Sequence, residues 1–322
     1  MSSGTVAPGA VVGRPPGRRL AALREGGWQA IPFIAPALFL VFFGLIVPVI
    51  WTVAMSFNRT RGLNFGEEWL GFANYDRLFT RDSRFFDTDE FPWQGALINN
   101  IKWLIIYPLL CLILGLVTAV LATRVRYEAL FKAIIFVPMA ISATAVGVIW
   151  GFVYSSDADL GILNALLGVL GKDPVSWLGQ ANTVNYAIIL AYVWASTGFV
   201  MVVLSAALKG ISQEVIEAAR TDGATEWDIF RRVQFPLLSL PIAVVTVWMI
   251  INVIKVFDII YVMSKGGPGG ASRVIAYTYY VETFESGKGG YGAAVAVVII
   301  LLIVPVMVWQ IRRFRTEAVT GH

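Results

Sequence analysis

The 322-residue sequence has few charged residues and almost no histidine or cysteine. Charged residues make up 14% of the chain, whereas a soluble domain usually carries about a quarter. A single cysteine, Cys111, excludes an intrachain disulfide. The single histidine, His322, leaves histidine-based metal and triad chemistry without its main ligand. The sequence therefore predicts no metal site and no catalytic residues.

Hydrophobic residues are abundant instead, at 57% of the chain with a mean hydropathy of +0.71. This composition excludes a disordered chain, a coiled coil, collagen and a disulfide-rich secreted scaffold. Crossing a bilayer takes roughly 20 apolar helical residues, and six charge-free runs are long enough. We therefore predict an all-α polytopic membrane protein with six transmembrane helices. These are expected near residues 32–56, 98–123, 133–154, 184–208, 237–262 and 291–311.

Lys and Arg are distributed unevenly between the two sides of these six spans. With the N-terminus inside, the inner segments carry 14 of them and the outer loops carry 9. This excess predicts a multi-pass protein of the cell membrane with both termini in the cytoplasm. It also explains the pI near 9.2 without a nucleic-acid partner. Residues 1–25, rich in Gly, Pro and Arg, are expected to form a disordered cytoplasmic leader before a transmembrane domain at 26–322.

The cytoplasmic segment 209–236 differs from the other connections. Ser212 is a candidate N-cap for a first short helix, and a second helix can begin near Thr225, with Glu226 in its first turn. Gly223 lies between them, where a chain reversal needs backbone freedom. Two interpretations remain open. The segment is either a compact knob that docks in a groove of another protein or an amphipathic connector at the lipid interface.

The same segment resembles a known family motif. Glu217-Ala218-Ala219, then three residues, Gly223, nine residues and residues 233–236 (VQFP) are similar to the EAA motif of binding-protein-dependent ABC importer permeases. The usual ending is I-x-L-P, so Val233 and Phe235 depart from it while Pro236 and the spacing are kept. The downstream stretch VFDIIYVMSKGGPGG is similar to permeases of the maltose and glycerol-phosphate class. The resemblance covers roughly 98–311.

The resemblance implies a type I ABC importer permease fold in a prokaryotic cell membrane. Its partners would be a second permease subunit, usually a different chain, together with two ATPase subunits, an outer solute-binding protein and a carbohydrate substrate. The chain has no G-x-x-x-x-G-K-[ST] phosphate-binding sequence. It is therefore expected to be no enzyme and to bind no cofactor, with ATP and Mg²⁺ held by the ATPase.

Family roles carry over to five positions of the segment 209–236. The motif glutamate faces basic residues of the ATPase, and the motif glycine allows the bend between the two helices, which assigns these roles to Glu217 and Gly223. Small side chains at Ala218 and Ala219 allow close approach of the two proteins. Pro236 closes the motif. The substrate is expected to be a mono- or oligosaccharide, and glycerol phosphate remains open because the same class transports it.

Two helical stripes are candidates for the substrate pathway. An aromatic–hydroxyl–aromatic stripe suits a sugar, whose C–H faces stack on rings while its hydroxyls form hydrogen bonds. Polar groups inside a span are costly and usually face a cavity. Two alternatives remain open: the aromatic residues serve only packing, and the lysine extends to an outer interface. The candidates are Tyr192, Ser196 and Phe199 in the fourth span, and Trp248, Asn252 and Lys255 in the fifth.

Two other classes of membrane protein make different demands on the sequence. An ion-coupled secondary transporter of a small polar solute often carries intramembrane carboxylates and inverted repeats, but Asp258 is the only acidic residue near a span. A polytopic membrane enzyme needs a catalytic cluster, and none stands out. Gly147 and Gly151 form a G-x-x-x-G in the third span. This pair marks either a crossing with a partner permease or close packing within the chain.

Overall fold

The computed structural model describes residues 32–62, 68–88, 93–157 and 159–320, and gives only the backbone for 313–320. Helices dominate, and a two-stranded antiparallel ladder joins β1 (Asn58–Arg59) to β2 (Glu68–Trp69). The helices are α1 (Pro32–Ser56), α2 (Ala73–Asp76), α3 (Ala96–Ala122), α4 (Glu128–Ala140), α5 (Ala143–Val153), α6 (Ile162–Val169), α7 (Val184–Lys209), α8 (Gln213–Thr221), α9 (Glu226–Leu237), α10 (Ser239–Ile254), α11 (Asp258–Met263), α12 (Ile275–Tyr280) and α13 (Gly289–Thr320).

The chain divides into two units, Met1–Thr52 and Val53–His322. In the first unit, the described residues belong to α1, and their side chains are exposed except for a half-buried Thr52. All 25 residues of α1 together reach about 37 Å, enough for one membrane crossing. The predicted leader at 1–25 lies outside the described residues and stays a prediction.

The number of membrane crossings agrees with the sequence prediction. Among the residues that the structure describes, four helices, α1, α3, α7 and α13, are long and apolar enough to cross unbroken, and two bent helix pairs bring the total up to six. The prediction of an all-α polytopic membrane protein is therefore confirmed. Two of the predicted spans, however, are not single straight helices.

The third predicted span, 133–154, is broken. Helices α4 and α5 meet at an angle of 101°. Ile141 and Ser142 have extended backbone angles, and the Ser142 side chain accepts a hydrogen bond from the Ala145 amide at 3.2 Å. Ser142 is therefore the N-cap of a new helix. The cap satisfies a backbone amide that the break would otherwise leave unpaired.

The fifth predicted span, 237–262, starts near the predicted residue but ends too late. Helix α9 meets α10 at 62° around Leu238. Pro241 has no amide hydrogen to donate to the carbonyl of Leu237, so one hydrogen bond of the helical ladder is missing at this bend. At the other end α10 stops at Ile254, because Phe257 leaves the helical region with φ −141° before α11 begins. The apolar run therefore contains two helices.

Side-chain contacts show the direction in which the span helices run. Trp103 of α3 donates to the Asn185 side chain of α7 at 2.8 Å. Further along both helices, Gly115 of α3 lies against Val200 of α7. The two helices are therefore parallel. Lys209 at the end of α7 pairs with Glu128 at the start of α4 at 2.8 Å. The segment 209–236 therefore lies at one end of the bundle, which we call the α8–α9 end.

At the opposite end lie the first loop, which is the segment between α1 and α3, and the start of the last helix. The Ala96 amide at the start of α3 bonds the carbonyl of Arg84 at 3.0 Å. The Tyr291 hydroxyl of α13 donates to the Asp82 carboxylate at 2.6 Å. Asn100 near the start of α3 donates to the carbonyl of Val253 near the end of α10 at 3.2 Å. Helix directions therefore alternate along this part of the chain, as the sequence predicts.

Glycines set how closely the helices approach. A Cβ at Gly198 of α7 would lie 2.3 Å from the carbonyl oxygen of Ile135 and 2.7 Å from Cα of Phe136. In the G-x-x-x-G pair, a Cβ at Gly147 would lie 3.1 Å from Cγ1 of Val262 in α11, so Gly147 packs within the chain. The Cβ position of Gly151 meets no described atom within 4 Å.

These distances predict opposite outcomes for the same substitution at two helix positions. Gly198→Ala places a methyl group against backbone atoms and should destabilise the protein by about 1–3 kcal/mol, visible as a lower melting temperature of the purified protein. Gly151→Ala is the control, because its methyl group enters open space and alanine is the better helix former. Equal melting temperatures for the two variants would contradict the α4–α7 packing.

Candidate coupling loop and substrate pathway

Helix α8 displays most of its side chains to solvent. Only Ile216 is buried, Ala219 is half-buried, and Glu217 and Ala218 are exposed. The helix begins one residue after Ser212, as predicted, but the Ser212 side chain makes no capping hydrogen bond. The position of the N-cap was therefore correct and the role of its hydroxyl was wrong. Within the described residues, Glu217 forms no ion pair.

The C-terminus of α8 closes in a Schellman motif at Gly223. This residue has φ +85°, a left-handed conformation that favours glycine. The Gly223 amide bonds the carbonyl of Arg220, and the Ala224 amide bonds the carbonyl of Ala219, both at 3.0 Å. These are the two hydrogen bonds of the motif. The predicted chain reversal at Gly223 is therefore present.

Helix α9 begins where the sequence predicts and is tied to α8. The Thr225 side chain accepts the Asp228 amide at 3.2 Å and donates to the Asp228 carboxylate at 2.6 Å. Arg220 of α8 pairs with Glu226 of α9 at 2.9 Å. Because one short turn and one ion pair join them, α8 and α9 form a compact angled unit, the coupling loop 212–236.

The coupling loop presents apolar side chains beside its carboxylates. Trp227 is 66% exposed and Val215 is 47% exposed. Large exposed apolar side chains on a polar surface commonly mark a binding site. The end of the motif is also exposed at Phe235 and Pro236. The loop therefore has the composition of a protein-docking surface at the α8–α9 end.

The fourth-span stripe is half-buried against an aromatic group of α3. The Tyr192 ring lies 5.6 Å from Trp103 and 5.0 Å from Tyr107, measured between ring centroids. Ser196 is buried, with 6% of its surface exposed. Phe199 is half-buried and its ring lies 4.5 Å from Trp248 of α10. The structure thus brings the two predicted stripes together at Phe199 and Trp248.

The other two fifth-span candidates are placed differently from one another. Asn252 is half-buried and donates to the carbonyl of Trp248 at 2.8 Å, within its own helix. Lys255 follows the last residue of α10 and is exposed. It therefore lies beyond the helix rather than on the stripe. The sequence prediction for Lys255 assumed a helix that continued to 262.

Sequence reasoning missed Trp103 and Tyr107. Both are fully buried, and the Tyr107 hydroxyl has no hydrogen-bond partner among the described residues. Their spacing of four puts them on one face of α3, toward Tyr192 of α7. The signal was an aromatic pair at i and i+4 in an otherwise aliphatic span.

Comparison with known proteins identifies the membrane domain. Residues 111–312 match the family described as "Binding-protein-dependent transport system inner membrane component". This match includes the coupling loop and both candidate stripes.

Two relatives are similar over most of the chain. The osmoprotective compounds uptake permease protein GgtC of Synechocystis is 43% identical over 289 residues, covering 88% of this chain and 98% of GgtC. The alpha-glucoside transport system permease protein AglF of Rhizobium meliloti is 38% identical over 295 residues, covering 90% and 83%.

The fold has a counterpart among solved structures. A chain of a bacterial ABC transporter involved in the import of the acidic polysaccharide alginate superposes with a TM-score of 0.74 at 22% identity. The match covers 92% of this chain and 99% of the other. The predicted type I ABC importer permease fold is therefore confirmed.

Proposed function

The chain belongs to the family of binding-protein-dependent transport system inner membrane components, and we propose that it moves a carbohydrate into the cell as the permease subunit of an ATP-driven importer. The observation that carries this proposal is the coupling loop, an exposed two-helix unit with the family's motif spacing. The family match gives no support to an ion-coupled transporter or a membrane enzyme.

The substrate class follows from the named relatives and from the side chains of the pathway. Relatives 30% or more identical are named for osmoprotective compounds, alpha-glucosides and trehalose/maltose. Half-buried rings at Tyr192, Phe199 and Trp248 suit the C–H faces of a sugar. These features favour a neutral mono- or oligosaccharide that contains glucose.

The partners follow from what this chain has and lacks. It has no phosphate-binding glycine loop, so two separate ATPase subunits would bind ATP and Mg²⁺ and dock on the coupling loop. An extracytoplasmic solute-binding protein would deliver the sugar to the opposite end. A second permease subunit, usually a different chain in this class, would complete the pathway. The termini and the α8–α9 end would face the cytoplasm, in line with the Lys and Arg excess.

Force transmission would depend on the angle between α8 and α9. The ATPase would contact Glu217 with a basic side chain, while Ala218 and Ala219 allow close approach. The Schellman turn at Gly223 and the Arg220–Glu226 ion pair hold the two helices at one angle. Movement of the ATPase would then pass through α9 into α10, which carries Trp248 of the pathway.

The coupling role predicts two different losses of function. Glu217→Lys should weaken retention of the ATPase during purification, because losing one member of a buried charge pair typically costs about 2–5 kcal/mol. Gly223→Pro should abolish sugar uptake even when some ATPase remains bound, since proline cannot adopt φ +85°. Co-purification and uptake in vesicles measure the two effects separately.

Controls for these variants come from the same segment. Glu214→Lys changes the same charge one turn earlier on α8, and Gly210→Ala changes a glycine at φ −75°, which any residue can adopt. Both controls should retain uptake and ATPase binding. Normal uptake by Glu217→Lys and Gly223→Pro would identify the loop as an interfacial connector and contradict the proposed coupling.

The pathway role predicts a loss of uptake without a loss of assembly. Tyr192→Ala removes a ring that packs against Trp103 and Tyr107, so the sugar loses a stacking surface and the KM for uptake should rise several-fold. Tyr186→Ala is the matched control, because Tyr186 is an exposed tyrosine of the same helix. If Tyr192→Ala has wild-type uptake kinetics, its ring serves only packing.

A further inference from the structure

A basic cavity lies at the opposite end, away from the coupling loop. Its volume is about 740 Å³, within the range of small-ligand sites. Residues from β1, the first loop and the start of α13 line it, and no carboxylate is among its described lining residues. The cationic side chains that line it are Arg59, Arg61, Arg77, Arg81 and Lys288.

These cations are only partly neutralised. Arg59 pairs with Glu68 at 3.0 Å, Arg81 with Asp76 at 2.7 Å, and Lys288 with Glu282 at 3.2 Å. Arg77 stacks over the Tyr291 ring at 4.5 Å. Arg61 is exposed and forms no ion pair within the described part of the chain. The cavity therefore has unused capacity for an anion.

An anion in the cavity would accept charge-assisted hydrogen bonds from the guanidinium groups that line it. Such bonds are shorter and stronger than hydrogen bonds between neutral groups.

The cavity lies at the ends of two helices that can span the membrane. Asn58 lines it two residues after the end of α1, and Tyr291 lines it from the first turn of α13. Both positions are at an end of a helix that is long and apolar enough to cross the bilayer. A ring cluster of Phe57, Trp69 and Phe72 stands beside β1, with Trp69 70% and Phe72 74% exposed. Exposed aromatic side chains at the end of a span are typical of the headgroup layer.

We propose that this cavity binds the phosphate headgroup of an anionic phospholipid. Guanidinium groups bind phosphate oxygens through strong charge-assisted hydrogen bonds, and the aromatic cluster would contact the glycerol and acyl region. The exposed rings of Trp69 and Phe72 beside the cavity favour a lipid over a soluble partner as the occupant. The inference requires only that the chain spans the bilayer.

The test uses the complete transporter purified in detergent and phosphatidylglycerol as the probe. Native mass spectrometry should show a phosphatidylglycerol molecule retained by the wild-type complex in preference to phosphatidylcholine. Arg61→Gln combined with Arg81→Gln should weaken retention roughly 30-fold, from the loss of two surface-level charges. Arg59→Gln, which removes a third cation of the lining, should weaken retention too.

Lys172→Gln is the control, because Lys172 is an exposed lysine of another loop that does not line the cavity. Equal lipid retention by all four proteins would overturn the proposal. If inorganic phosphate binds as tightly as phosphatidylglycerol and both depend on Arg61 and Arg81, the cavity is a site for soluble anions and the lipid assignment is wrong. If the double variant instead loses ATPase stimulation by the solute-binding protein in pure phosphatidylcholine, the cavity serves a protein carboxylate and the proposal is again overturned.

Discussion

A group of buried asparagine side chains holds the membrane helices in register, and the rest of the structure depends on it. Asn99 donates to the carbonyl of Arg273 at 2.9 Å, and Asn100 accepts the Ile275 amide at 2.8 Å and donates to Val253. Asn185 of α7 accepts from Trp103 of α3. In a membrane interior each polar group must find a partner within the protein. These bonds therefore fix how α3, α7, α10 and the segment before α12 meet.

This constraint explains why the bent helices are tolerated. Where the chain leaves α10 after Ile254, the carbonyl of Val253 accepts a hydrogen bond from Asn100. The same network fixes the position of Trp103 relative to α7, and therefore the position of the aromatic group around Tyr192. At the α8–α9 end, the Schellman turn and the Thr225 cap give α8 and α9 a defined angle. A rigid coupling loop is thus connected through α9 and α10 to the ring of Trp248.

The sequence predicted most of the architecture, because long apolar runs and motif spacing are local signals. The positions of α1, α3, α7 and α13, the start of α9 and the left-handed turn at Gly223 are all confirmed. It did not predict the break at Ser142 or the end of α10, since an apolar run looks the same whether one helix or two occupy it. Lys255 was misplaced for that reason. The partners of Tyr192 were missed because they come from α3, and contacts between distant segments leave little trace in one sequence.

The central claim is that the coupling loop is the surface on which the ATPase acts, and photo-crosslinking tests it most directly. A photoreactive phenylalanine analogue would replace Trp227, which is 66% exposed on α9, and in a second protein Trp69, which is 70% exposed at the opposite end. Irradiation of the assembled transporter should join the ATPase subunit to the first protein and not to the second. Crosslinks to the ATPase from position 69, or their absence from position 227 in a complex that still hydrolyses ATP, would contradict the account.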